Sequence, residues 1–139
     1  MKPGCYTAIV TPFMQTADEV DYQALDQLVS FQIENGITGI LAVGTTGESP
    51  TLTWEEHNKV TEIIASKTKG HCTCIAGTGS NNTKESIDAT EHAIHAGADA
   101  VLRHQALIVM AAGAGVRDVR RMDRVVRVGQ RADAVGPGR

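Results

Sequence analysis

Aromatic residues are scarce and end early: one Trp, two Tyr and two Phe, with none after Trp54. A second packed core beyond that point would lack the large ring side chains that dominate core burial. No tyrosine follows Tyr22 and no lysine follows Lys84. No apolar run approaches the ~20 residues that cross a bilayer, and no basic segment followed by an apolar one opens the chain. Those absences argue against a membrane partner and against export, so a cytoplasmic protein is expected. Cysteines are few and odd in number: Cys5, Cys72 and Cys74. They offer no disulfide framework and fit a reducing compartment. Cys72 and Cys74 fall on one face of a strand, but two thiols make a poor zinc site, and buried free thiols are the simpler reading. His71, His92, His95 and His104 show no ligand spacing completed by an acid or thiol, so no metal is expected.

The 139 residues allow one domain with a real core. Hydrophobic residues make up 42% and charged residues 21%, a balance that fits a soluble globular chain. The charge is split along the sequence. Residues 1–102 hold all five lysines against thirteen acids, a balance of −8. Residues 103–139 hold all eight arginines against three aspartates, a balance of +5. Two segments, 1–102 and 103–139, are therefore distinguished, the second a tail of separate function or separate origin.

Within the first segment, strand and helix signals alternate. Cys5 to Val10 is rich in β-formers and ends at Thr11-Pro12, where Pro12 removes a donor and biases Thr11 to extended backbone. Asp21 is placed to cap a helix over Tyr22 to Asn35, with Leu25, Leu28, Val29 and Ile33 as its apolar stripe and Gly36 past its end. Gly39 to Val43 is almost wholly apolar, as in a parallel strand covered on both faces. Thr53-Trp54-Glu55-Glu56 reads as a capping box for a helix to about Lys67, with Val60, Ile63 and Ile64 inward and Gly70 as its stop. Cys72 to Ala76 is the third strand, running into Gly77-Thr78-Gly79. Asn82 and Glu85 open a third helix to about Ala96, with Ile87, Thr90 and Ile94 on one face. Ala98 to Leu102 begins a fourth strand. Repeated βαβ units with right-handed crossovers predict a parallel sheet curling into an arc. After Leu102 the pattern changes: a loose stripe of Val116, Val119, Met122, Val125 and Val126 stands among arginines, and disorder is expected at the Gly136-Pro137-Gly138-Arg139 end.

The centre of the chain is Val43-Gly44-Thr45-Thr46-Gly47-Glu48-Ser49, a loop at the carboxyl end of the second strand. Two glycines permit a tight turn and close approach of a ligand, and two adjacent hydroxyls lie between them. Such a loop is a small-anion site in many α/β folds, and equally a turn that needs glycine for geometry. Gly-Thr-Thr-Gly-Glu-Ser, preceded by Gly-Ile-Thr-Gly-Ile-Leu-Ala-Val, resembles the signature of the dihydrodipicolinate synthase (4-hydroxy-tetrahydrodipicolinate synthase) family. Ala8-Ile9-Val10-Thr11-Pro12-Phe13, Ile75 to Thr83 and Ala96 to Val101 agree with the same family in order and spacing.

The resemblance covers about residues 1–102 and implies an α/β fold, the N-terminal half of a TIM (β/α)8 barrel with about four βα units. A whole barrel takes ~250 residues, more than this chain holds. It implies a class I aldolase-type lyase that needs no cofactor. A lysine forms a Schiff base with pyruvate, and the enamine attacks aspartate semialdehyde in lysine and diaminopimelate biosynthesis. Thr46, with Gly47 and the loop amides, resembles the family's pyruvate-carboxylate clamp, and Thr45 resembles a proton-relay hydroxyl. Where the family has a Tyr-Tyr pair, this chain reads Arg103-His104-Gln105-Ala106, and the family's Schiff-base lysine has no counterpart in it. Lys84 reads as a solvated charge in the first turn of a helix. The chain by itself is therefore expected to be inactive. Ser49, His57, Asn81 and Glu85 match positions that contact the inhibitor lysine in many members, and Trp54 stands where some have histidine. Taken singly, His57 reads as a helix-surface residue, Asn81 as a turn residue and Glu85 as a helix cap. Intact members form homotetramers. A shifted reading frame in GC-rich DNA accounts for the arginine-rich tail. Two rivals remain: another pyruvate-dependent aldolase, of the N-acetylneuraminate lyase or keto-deoxy sugar-acid type, or a non-catalytic binding protein with a basic tail. No interleaved aromatics support nucleic-acid binding by that tail.

Overall fold

The computed structural model describes residues 1–16 and 18–103 and the backbone of a further strand at 106–109. Apart from Arg103 and that strand, the arginine-rich tail lies outside the described residues. Strands β1 (Tyr6–Ala8), β2 (Gly39–Ala42), β3 (Thr73–Gly77) and β4 (Ala100–Arg103) alternate with helices α1 (Tyr22–Glu34), α2 (Trp54–Thr68) and α3 (Thr83–Ala96). They form one sheet in sequential order, and the first four strands are parallel throughout. This is the βα repeat of a barrel wall, as the sequence predicts.

Helix ends follow their local chemistry. The Asp21 carboxylate accepts from the Ala24 amide at 2.8 Å and starts α1. Thr53 and Glu56 form the reciprocal capping box of α2, with bonds of 3.2 and 2.9 Å. Gly36, Gly70 and Gly97 take positive φ just past the three helices, a conformation that costs other residues steric strain. At α3 the cap differs from the expected pairing. Asn82 accepts from the Lys84 amide, while Glu85 accepts from the Ser80 hydroxyl at 2.6 Å and from the Asn82 side-chain amide at 3.1 Å.

The main core lies on the helix side of the sheet. Ile9, Ile40, Ala42 and Cys74 lie with Leu25, Val29, Val60 and Ile64 in one core between sheet and helices. Of the expected Ile87-Thr90-Ile94 row of α3 only Thr90 is fully buried. Ser86, Ala89 and Ala93 share the buried face with it, because small side chains let the helix sit close on the sheet, while the two isoleucines are half-buried at its flanks. Cys74 is a buried free thiol, and burial pushes it up to about 12. Cys72 is only half-buried and Cys5 is exposed, so the pair is not uniformly interior.

Three features lie outside the expected pattern. The loop before α1 is mostly exposed, yet Val20 is 3% exposed and bridges to Phe13. A 3-10 turn, Ser49–Thr51, separates the central loop from α2. Strand β5 (Ala106–Val109) pairs antiparallel with β4, from Arg103 opposite Ala106 to Ala100 opposite Val109. A barrel continuing by βα units would place a parallel strand at that edge.

Candidate functional site

The site grows from the end of β2. Val43 leaves the strand at φ 46 and Glu48 sits at φ 53, both left-handed, while Gly44 and Gly47 keep ordinary φ. The left-handed positions of the loop thus fall on non-glycine residues, and the glycines serve the close approach expected of them. Gly47 supplies closeness: a Cβ there would meet the Ile9 carbonyl at 3.2 Å, Val43 Cα at 3.2 Å and Thr11 Oγ1 at 3.3 Å. Gly77, at the end of β3, is tighter still, since a Cβ there would lie 2.4 Å from the Val43 carbonyl oxygen.

The Gly47 amide donates to the Gly44 carbonyl at 3.1 Å and the Glu48 amide to the Thr45 carbonyl at 3.1 Å. Thr45 and Thr46 thus occupy the middle of a turn, where backbone N–H groups have no partner within the turn. Among the described residues neither amide has an acceptor, and both residues are exposed. Two free amides beside two hydroxyls at a strand's carboxyl end can hold a small carboxylate. Thr51 Oγ1 closes the far side by donating to the Glu48 carbonyl at 2.8 Å.

A cleft of about 700 Å3 opens beside this loop. Thr45, Ser49, Trp54, His57, Asn81 and Glu85 all line it. The four residues matched to an effector site, drawn from three separate stretches of sequence, therefore share one cavity with Thr45. Thr46 and Gly47 are not in its lining: Thr46 faces solvent, and Gly47 is buried under the turn. Lys84 is exposed on the first turn of α3 and does not line the cleft.

His57 corrects the sequence reading. It is 3% exposed, not a helix-surface residue, because it falls on the buried stripe of α2 with Val60, Thr61 and Ile64. Its ring meets Trp54 edge-on, with centroids 5.0 Å apart and planes at 61°. Among the described residues neither ring nitrogen has a partner at hydrogen-bonding geometry, although the Asn58 side chain and the Gly77 backbone lie beside it. Burial lowers its pKa, an effect that Asn58 and Gly77 partly offset. His92, read as a surface residue, is half-buried and lies 3.1 Å from a Glu62 carboxylate oxygen, whereas His71 and His95 are exposed. Among the described residues no three His, Cys, Asp or Glu side chains gather as a metal site. No described helix is long and apolar enough to cross a membrane.

Sequence reasoning missed Thr11. It sits in the Ala8–Phe13 motif, but nothing local signals that its hydroxyl donates to the Gly47 carbonyl at 2.8 Å, across 36 residues.

The sequence model of the Dihydrodipicolinate synthetase family matches residues 1–106. The 4-hydroxy-tetrahydrodipicolinate synthase of Methanocaldococcus jannaschii is 52% identical over 102 residues, which cover 73% of this chain and 35% of that protein. The solved structure of the enzyme from Cyanidioschyzon merolae with lysine bound superposes with a TM-score of 0.68 at 44% identity, over 72% of this chain and 34% of that one. The pyruvate complex of the dihydrodipicolinate synthase from Acinetobacter baumannii gives 0.68 at 45% identity, over 72% and 34%. The chain spans about a third of the length of the relatives it matches.

Proposed function

This chain belongs to the dihydrodipicolinate synthetase family, and on that premise we propose that its central loop is the pyruvate-carboxylate clamp of a 4-hydroxy-tetrahydrodipicolinate synthase. One observation carries the reading. Among the described residues the turn from Gly44 to Gly47 leaves the Thr45 and Thr46 amides without an acceptor at the carboxyl end of β2, where barrel enzymes bind substrate. Thr46 and the two amides hold the carboxylate, and the Thr45 hydroxyl stands at the cleft wall as a proton relay. In the family's reaction a lysine amine attacks the ketone of pyruvate, water leaves, and the resulting enamine adds to aspartate semialdehyde. This sequence contains no lysine after Lys84 and no tyrosine after Tyr22. These 139 residues therefore bind the keto acid without forming the covalent adduct.

A second ligand is favoured by the cleft. Ser49, Asn81 and Glu85 line one cavity together with Trp54 and His57, the Glu85 carboxylate held in place by Ser80 and Asn82. That set suits an amino acid carrying both an ammonium and a carboxylate, and we assign it to lysine as effector.

One titration tests both assignments. In 15N-labelled chain, pyruvate should shift the Thr45 and Thr46 amides, and lysine should shift those of Ser49, Asn81 and Glu85. Borohydride added with pyruvate should leave the mass unchanged. A stoichiometric adduct would overturn the inactivity, and silent Thr45 and Thr46 amides would overturn the clamp.

A further inference from the structure

The outer side of the central turn is exposed, but its inner side is buried against the end of the first strand. Thr11 is 5% exposed, and its hydroxyl donates to the Gly47 carbonyl at 2.8 Å. Pro12 biases Thr11 towards extended backbone, which limits how far that hydroxyl can retreat. Gly47 has no room to move inward, since the Ile9 carbonyl and Thr11 Oγ1 stand within 3.3 Å of where a Cβ would be. On either side the backbone is left-handed at Val43 and Glu48, a conformation that non-glycine residues keep only when their surroundings impose it. The turn is thus a strained segment fastened from below by a side chain of another element.

We propose that Thr11 is a positioning residue for the keto-acid carboxylate. By holding the Gly47 carbonyl inward, its hydroxyl keeps the turn closed and the Thr45 and Thr46 amides turned away from the protein's own acceptors. The proposal rests on the clamp reading above, and it adds a residue that touches no ligand. Thr11→Val keeps the shape and removes the donor, leaving a buried carbonyl unpaired. Thr11→Ser keeps the donor and removes a methyl.

The test is site-resolved hydrogen exchange on the full 15N-labelled chain. In Thr11→Val the Gly47 and Glu48 amides, which close the turn, should exchange about tenfold faster. Amides of Ile75 in β3 and Ile64 in α2 should keep their wild-type rates, and Thr11→Ser should restore the turn. The pyruvate dissociation constant, read from the Thr45 and Thr46 shifts, should rise about tenfold in Thr11→Val and return in Thr11→Ser. Should Thr11→Val fail to fold, Gly47→Ala crowds the same hydroxyl and should give the same local signature. Unchanged exchange at Gly47 and Glu48 overturns the proposal. So does an increase spread evenly over β3 and α2, which would mark ordinary loss of stability. If wild-type Thr45 and Thr46 ignore pyruvate, the clamp reading fails, while the exchange rates still decide whether Thr11 holds the turn.

Discussion

His57 is a basic group kept where a charge is poorly tolerated. Its pKa lies below the ordinary 6.5 because burial disfavours the imidazolium. Below pH 6.5 the unfolded chain takes up a proton that the folded chain resists, so the unfolded state binds more protons there. Its stabilising contribution is therefore full above that value. It is lost as pH falls from 6.5 to the lowered folded value, below which the slope vanishes. Trp54 reports this directly, since it is the sole tryptophan and its ring meets His57 at 5.0 Å. Urea midpoints followed by Trp54 fluorescence should fall between pH 7.5 and pH 5. His57→Phe should flatten that dependence, and an equal slope in the variant would remove His57 as its source. The residue was legible on a helical wheel and was passed over for its polarity. Leu25 and Val29 are buried as their spacing predicts, and His57 lies one turn before Val60 and Thr61 on the same buried stripe of α2.

At the scale of elements, strand and helix junctions decide the site. The end of β3 runs close beside the end of β2, and Gly77 makes that approach possible: a Cβ would come within 2.4 Å of the Val43 carbonyl oxygen and 2.9 Å of its carbon. Backbone cannot yield there as a flexible side chain would. Gly77→Ala should destabilise by about 1–3 kcal/mol, the usual cost of forced overpacking. The loss should come with broadened Thr45 and Thr46 resonances, because Val43 leads into their loop. Gly70→Ala is the matched control: its Cβ meets nothing within 4 Å, and its cost comes from a φ of +80 alone. Thermal melts of the two variants, each read with the Thr45 and Thr46 signals, separate crowding from local strain. If Gly70→Ala disturbs the loop as much, the close approach at Gly77 is not what shapes it. Helices and parallel strands were legible because caps, stops and apolar spacing are local: Asp21, Thr53 with Glu56, and the three glycines past the helices mark their ends. The left-handed Val43 was not legible, since a β-branched residue is disfavoured there and only packing against Gly77 and Gly47 holds it. Strand β5 was missed for a related reason. Its pairing is antiparallel to β4, and the alternation of parallel units gives no hint of it.

For the whole molecule, the two faces of the sheet have unequal cover. The helices close one face, where Ile40 is 0% exposed. On the other, the first strand and its extension are open: Ala8 is exposed and Val10 is 51% exposed, while Ile9 between them is 4% exposed. Alternation along a strand makes this parity unavoidable, and a parallel sheet is ordinarily covered on both sides. Further along that face Ile75 and Ala100 are 5% and 1% exposed, so the opening lies at the β1 edge. The two faces should answer mutation differently. Ile40→Ala removes packing from a closed core and should cost about 2–5 kcal/mol. Val10→Thr keeps the branched shape at an exposed site and should change stability by within about 0.5 kcal/mol. Its effect should appear instead in dye binding. Native chain should enhance anilinonaphthalene sulfonate fluorescence through its open apolar face, and Val10→Thr should reduce that enhancement without moving the urea midpoint. A large stability loss in Val10→Thr would mean that the inner face is already packed, and the distinction between the two faces would fail.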